Sequence, residues 1–308
     1  MLIFPPRDAQ PVVRVPGPVS WLERAGQALC RVVPAITAPA AIVWPWLANA
    51  RRRRLRWRYL AGGAGERTAL LPAGGTRLPD MYLLLIEALE RDFRVIAPAY
   101  PAGAGIAGLA DGLAAILDAE GVHQADVLGS FFGGFVAQEF ARRHPERVRR
   151  LVLANTGSPA TTPLPLLPLL IRLLAVFPEK AVRWLTGWKW RRWFVPEWQS
   201  DAVFWKSLLS DVLGQLGKED LLSGLREMNE FAHLPAGGPR VRTQTMPAPV
   251  LLIESEKDEA FPPQARTALR ALYPAAEVRT FPGAGHSVVA TRTAEYVDTC
   301  GSSCADRD

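Results

Sequence analysis

Residues 125–143 restrict the fold of this 308-residue chain more than any other stretch. A short, mostly apolar run, Ala125-Asp126-Val127-Leu128-Gly129, reads as a short buried strand. It passes through Ser130-Phe131-Phe132 into Gly133-Gly134 and a helical pattern that stops before Pro145. A strand that enters a helix with so few residues between must turn sharply. Glycines two places either side of the centre let the two backbones pass closely. The residue at that centre is Phe131, with Gly129 and Gly133 flanking it. Ser130 falls one place early, and neighbours leaving a strand point to opposite faces.

The surrounding pattern alternates strand and helix. Residues 52–60 read as a strand with Leu55, Trp57 and Tyr59 on one face and Arg54, Arg56 and Arg58 on the other. The glycines of residues 62–65 read as a hairpin turn into a strand over 67–71. A helix over 81–90 and a strand over 93–97 follow. Residues 106–119 form an amphipathic helix with Leu109, Leu113, Ile116 and Leu117 inward. Strands at 148–154, 249–253 and 277–281 and a helix at 263–272 complete the series. Such alternation predicts an α/β fold with a mostly parallel sheet covered on both faces, with ligands at the carboxyl ends of its strands.

One segment interrupts the series. Residues 161–245 are helical in pattern and hold six of the ten tryptophans, too long a stretch for a loop, so they read as an inserted helical lid. The expected organisation is an N-terminal basic and apolar extension over 1–50, a core over 51–160 and 246–299, the lid between them, and a polar tail over 300–308.

Charge is concentrated at the start. Residues 1–60 carry ten arginines against Asp8 and Glu23, a net +8, so the rest of the chain carries −2 of the total +6. No zinc-finger, P-loop or nucleic-acid signature accompanies them, which argues against nucleic acid as a partner. Residues 32–50 are uncharged and lead through Trp44 and Trp46 into four arginines, the order a membrane boundary selects. Pro34, Pro39 and Pro45 argue against a spanning helix. An arm packed on the domain and a peripheral membrane contact both remain open. Three scattered cysteines, Cys30, Cys300 and Cys304, make no disulfide framework and fit a reducing, cytoplasmic setting, with membrane association left open. Neither the Cys300–Cys304 spacing nor the isolated His123, His144 and His233 supplies a metal site. Gly103-Ala104-Gly105-Ile106-Ala107-Gly108 matches G-x-G-x-x-G, but Tyr100-Pro101 separates it from the strand, so it reads as a turn and no cofactor is expected.

Five separated motifs resemble those of the α/β-hydrolase fold, in the right order. They are Leu70-Leu71-Pro72-Ala73-Gly74-Gly75 (oxyanion loop), Arg94 through Pro101, Gly129 through Asn155 (nucleophile elbow, helix and strand), Glu256-Lys257-Asp258 (acid loop) and Gly283-Ala284-Gly285-His286-Ser287 (histidine loop). Within that fold the chain is similar to maspardin, on the strength of Gly133-Gly134-Phe135-Val136-Ala137-Gln138, Tyr100-Pro101 and Leu272-Tyr273-Pro274.

The resemblance implies a Ser–Asp–His hydrolase in which Asp258 orients His286 and the N–H groups of Gly74 and Phe132 form the oxyanion hole. The central position departs from it, because a phenyl ring cannot attack a carbonyl. Losing the serine costs on the order of 10⁶ in turnover. A working Ser130 would need the turn to slip by one, placing Leu128 and Phe132 where glycines are required, at ~1–3 kcal/mol of strain. The sequence thus predicts a degenerate, non-catalytic relative that binds a small apolar molecule or a protein. The alternative is a divergent hydrolase for an ester or amide, using Ser130 or a water activated by His286 and Asp258. Phe131, Phe132 and Phe135 together predict an apolar cleft narrowed by the Phe131 ring. The lid tryptophans, interleaved with Lys189, Arg191 and Arg192, predict at least one exposed interfacial face.

Overall fold

A computed structural model describes residues 12–16, 54–161, 165–194, 202–234 and 248–302. The Cys30, Cys304 and 32–50 expectations lie outside these residues. Among the described residues the sheet has eight strands: β1 (Val12–Pro16), β2 (Arg54–Gly62), β3 (Arg67–Leu70), β4 (Phe93–Ala99), β5 (Ala125–Ser130), β6 (Val148–Ala154), β7 (Val250–Ser255) and β8 (Glu277–Phe281). Their order is β1-β2-β4-β3-β5-β6-β7-β8. From β4 to β8 all pairings are parallel, and β2 runs antiparallel to both β1 and β4. The sheet therefore starts inside the segment set apart as an extension.

The glycines of residues 62–65 do not make a hairpin, because β4 lies between the two strands they join. They let the chain cross the start of β4 instead. A Cβ on Gly63 would stand 2.1 Å from the Phe93 carbonyl oxygen, and one on Gly65 2.0 Å from that of Asp92. Glycine clusters mark a tight path, and here the path is a crossing.

Successive strand residues divide between two cores, as period-two alternation requires. Leu70, Val127, Leu151 and Leu153 meet α2 (Gly105–Ala119), α3 (Phe132–Arg143) and α8 (Pro263–Leu272) on one face. Ala69, Leu71, Leu128 and Val152 meet α1 (Leu83–Leu89), α9 (Val288–Thr291) and α10 (Thr293–Ser302) on the other. The four inward residues predicted on α2 are fully buried.

Helix α10 corrects the expected tail, since it carries the fold beyond residue 300. Tyr296 and Cys300, one helical turn apart, are both buried in the second core, and Arg150 Nη1 donates to the Cys300 carbonyl.

Among the described residues the lid holds four helices, α4 (Leu167–Val176), α5 (Glu179–Phe194), α6 (Ala202–Gln215) and α7 (Lys218–Ala232). Helix α7 docks on the Gly103–Gly108 turn. The Gly103 N–H donates to Ser223 Oγ at 2.9 Å, and the Ile106 N–H to Glu230 Oε2 at 2.8 Å. A carboxylate there satisfies an otherwise orphaned N–H in the first turn of α2. That motif holds the lid. Among the described residues, no helix is long and apolar enough to cross a membrane.

Candidate functional site

The turn between β5 and α3 fixes the register. Phe131 has φ 51° and ψ −116°, a conformation that a bulky residue adopts only under strain, at ~1–3 kcal/mol. It is held from both sides. Its N–H donates to the Ala154 carbonyl at 3.1 Å, and its carbonyl accepts from the Gly134 N–H at 3.0 Å and Thr156 Oγ1 at 2.8 Å. The flanking glycines have no room to be anything else. A Cβ on Gly129 would stand 2.5 Å from the Gly133 carbonyl oxygen, and one on Gly133 2.2 Å from that of Pro72. The turn has not relaxed around the aromatic residue, and Phe131 stands at its apex.

The half-buried ring lies among His286, Phe261 and Phe135, with centroid separations of 5.0, 5.9 and 6.1 Å. It meets the His286 imidazole edge to face, at 88°. On its other side it presses the Gly74-Gly75 loop so closely that a Cβ on Gly75 would be 2.8 Å from Phe131 Cε1. The ring thus fills the space between the imidazole and that loop.

Ser130 is the last residue of β5, and its carbonyl accepts from Tyr82 Oη at 3.5 Å. Among the described residues no hydrogen bond joins it to His286.

Asp258 follows β7 and His286 follows β8, at the carboxyl ends of neighbouring strands. His286 Nδ1 stands 3.0 and 3.1 Å from the two oxygens of Asp258. Asp258 Oδ1 also accepts the N–H groups of Ala260 and Phe261, and Oδ2 accepts Asn155 Nδ2 at 2.8 Å. Burial by itself would push this carboxyl up, but the bonds from His286, Asn155 and Phe261 hold it below its ordinary value. Sequence reasoning assigned no role to Asn155. It caps the carboxyl end of β6 with φ 43°, and an asparagine directly after a buried strand, tolerant of that conformation, was the available signal.

Arg77 was missed entirely. It adopts φ 64° and closes the Gly74 loop by donating its N–H to the Gly74 carbonyl at 2.9 Å. Its side chain is buried against Glu227 of α7, with Nη2 also donating to the Pro101 carbonyl at 2.9 Å. Burial pushes the Glu227 carboxyl up, opposed by Arg77. This pair ties the lid to the loop beside the site.

Gly74, Ser130, Phe131, Phe132 and His286 all border one cavity of about 620 Å³, roofed by lid residues that include Leu170, Leu185, Leu221 and Met228. That volume is within the range of small-molecule sites even with the Phe131 ring inside it. Among the described residues no group of three or more His, Cys, Asp or Glu could hold a metal ion.

A strained strand-to-helix apex and a carboxylate–imidazole pair at successive strand ends are the frame of one superfamily, and the model of the alpha/beta hydrolase family matches residues 68–299. The chain belongs to the alpha/beta hydrolase family. Among curated members it is 28% identical over 215 residues to a 2-hydroxymuconate semialdehyde hydrolase of Pseudomonas sp. (strain CF600), covering 63% of this chain and 66% of that one. It is 38% identical over 90 residues to a poly(3-hydroxyalkanoate) depolymerase of Ectopseudomonas oleovorans, covering 26% and 32%. The chain thus spans under two thirds of the length of these relatives. An esterase from Thermogutta terrifontis superposes with a TM-score of 0.66 at 20% identity, covering 80% of this chain and 92% of that one. An enol-lactonase from Burkholderia xenovorans LB400 does so with 0.66 at 18%, covering 80% and 96%. At such identities the two structures establish the hydrolase fold and nothing narrower.

Proposed function

We propose that this alpha/beta hydrolase has left serine catalysis and binds a small apolar molecule in the cavity beneath its lid. One observation carries the reading: the Phe131 ring occupies the apex of an otherwise intact elbow and lies edge to face on His286. A phenyl side chain has no lone pair for attack, and the ring takes the space an acyl carbonyl would need. The cavity wall is mainly apolar, with leucine and phenylalanine its commonest residues, which suits an apolar ligand. The narrower likeness to maspardin belongs to this reading and rests on the Gly133–Gln138, Tyr100-Pro101 and Leu272-Tyr273-Pro274 motifs.

Two measurements on the purified protein test it. A fluorophosphonate probe leaves the intact mass unchanged, and a fluorescent apolar dye binds saturably at one site. Leu225→Trp, which fills the cavity from α7, weakens the dye about tenfold, as expected for blocking a buried apolar contact. A covalent adduct on Ser130 would overturn the proposal.

The assembled Asp258–His286 pair favours a second reading, a divergent hydrolase in which that pair activates water on an ester or amide. It requires ester turnover by the natural sequence that His286→Ala abolishes.

A further inference from the structure

The lid turns an apolar stripe toward solvent. Leu166, Leu169, Leu170, Leu173, Val176 and Phe177, on and beside α4, follow helical spacing and are 41–80% exposed. On α5, Trp184, Leu185 and Trp188 are 69%, 42% and 55% exposed. Stripes with this spacing normally face a core. Here the core side is already occupied by Leu167 and Val182, both buried. Leu170 and Leu185 are exposed and also line the cavity, so the two stripes meet at its mouth. A continuous apolar surface of this kind marks an interaction site.

Charge selects the occupant. From Leu167 to Phe194 the chain carries six cations (Arg172, Lys180, Arg183, Lys189, Arg191 and Arg192) and one anion, Glu179, a net +5. Arg172, Lys180, Lys189 and Arg191 are exposed around the stripes. A second copy laid on this face would bring cations against cations, and like charges across an interface oppose association. Anionic lipid headgroups would neutralise them while the acyl region receives the leucines. Exposed tryptophans bordered by lysine and arginine suit the boundary between those two layers.

We propose that the α4–α5 face of the lid docks on an anionic lipid surface, with the cavity mouth turned toward the acyl chains. The proposal extends the ligand reading by naming where an apolar molecule enters, and docking itself stands or falls without it.

The test uses the full chain and vesicles of phosphatidylcholine with or without about a third phosphatidylglycerol. Binding is expected only with phosphatidylglycerol, with a blue shift of tryptophan emission, and it weakens about tenfold or more when salt rises from ~0.1 to ~0.5 M. Leu169→Glu with Leu173→Glu, both on the exposed stripe, abolishes it while leaving thermal unfolding unchanged. No binding to either vesicle overturns the proposal. So does binding that survives the double variant but is lost on neutralising Arg51 to Arg54, which assigns docking to the N-terminal arm. A concentration-dependent dimer that the same variant dissolves assigns the face to a second copy, and also overturns it. Dye binding without vesicles reports on the cavity separately, so failure of docking and failure of the ligand reading are distinguishable.

Discussion

On one side of the His286 imidazole stands a carboxylate, Asp258, that accepts hydrogen bonds from four directions, all within 3.2 Å. On the other stands a phenyl ring that accepts none and fills the gap to the Gly74-Gly75 loop. On the acid side both carboxylate oxygens of Asp258 are satisfied by several donors, which makes it expensive to dismantle. The elbow side keeps the strained backbone of a nucleophile turn with Phe131, not a serine, at its apex. On the reading proposed above, a single side chain removes the chemistry while the scaffold that served it persists. The strain at residue 131 is borne by glycines and by hydrogen bonds to Ala154, Gly134 and Thr156, none of which depends on a hydroxyl.

Phe131→Ser tests this contrast with the largest expected effect. It returns a hydroxyl to the apex and vacates the ring's volume beside His286. Since a serine nucleophile accounts for on the order of 10⁶ in turnover, even imperfect geometry should raise hydrolysis of a short activated ester about 10³-fold or more. Fluorophosphonate labelling should appear at position 131. A folded variant that remains inert would show that the loop around Gly74 no longer stabilises an oxyanion, and the elbow side would then have lost more than one atom.

The Arg77–Glu227 pair asks whether the elbow side is held by packing or by charge. Arg77→Met leaves Glu227 buried without its cation, which costs about 3–5 kcal/mol in denaturant unfolding. Adding Glu227→Leu should recover most of that loss, because a buried ion pair and an apolar pair of similar size are nearly equivalent. If the double variant remains as unstable as the single one, the guanidinium bonds to Pro101 and the closure of the Gly74 loop carry the effect instead.

Asn155→Ala makes a smaller change on the acid side. It removes one hydrogen bond to a buried carboxylate, a loss of about 1.5–3 kcal/mol, and the Phe131 ring should keep its place. Thermal unfolding gives the first quantity. The chemical shift of the His286 ring protons, close enough to the Phe131 ring to feel its ring current, gives the second.

Legibility in the sequence followed the range of each interaction. The strands and helices around residues 93–154 and 263–281 were readable because alternating and 3.6-residue patterns are local, as at Leu109, Leu113, Ile116 and Leu117. The register of the elbow was readable for the same reason, since Gly129 and Gly133 lie within a few residues of the strain they relieve. Where a partner is distant, the reading failed. The glycines of residues 62–65 looked like a hairpin because nothing nearby announces that β4 inserts between their strands. Arg77 finds Glu227 150 positions away, and neither residue stands out in its own segment. Cys300 looked like part of a polar tail because its neighbours are polar, yet its place one turn after Tyr296 puts it in the core.

The smallest expected effect separates the two carboxylates by pH. Asp258 has a lowered folded pKa, so its stabilisation is fully present above the ordinary carboxylate value of about 4 and is lost as pH falls through that value toward the folded one. Glu227 has a raised folded pKa, so its effect has the opposite sign. It favours the folded state at low pH and becomes a penalty as pH climbs past about 4. In the natural sequence the two slopes have opposite sign and lie in adjacent ranges, Glu227's above about pH 4 and Asp258's below it. Asp258→Asn removes only the second of these. Its stability, measured by urea unfolding below about pH 4, should then hold level toward acid where the parent falls. A variant whose acid-side slope matches the parent's would mean that other carboxylates set the acid limit and that the hydrogen bonds around Asp258 hold geometry more than charge.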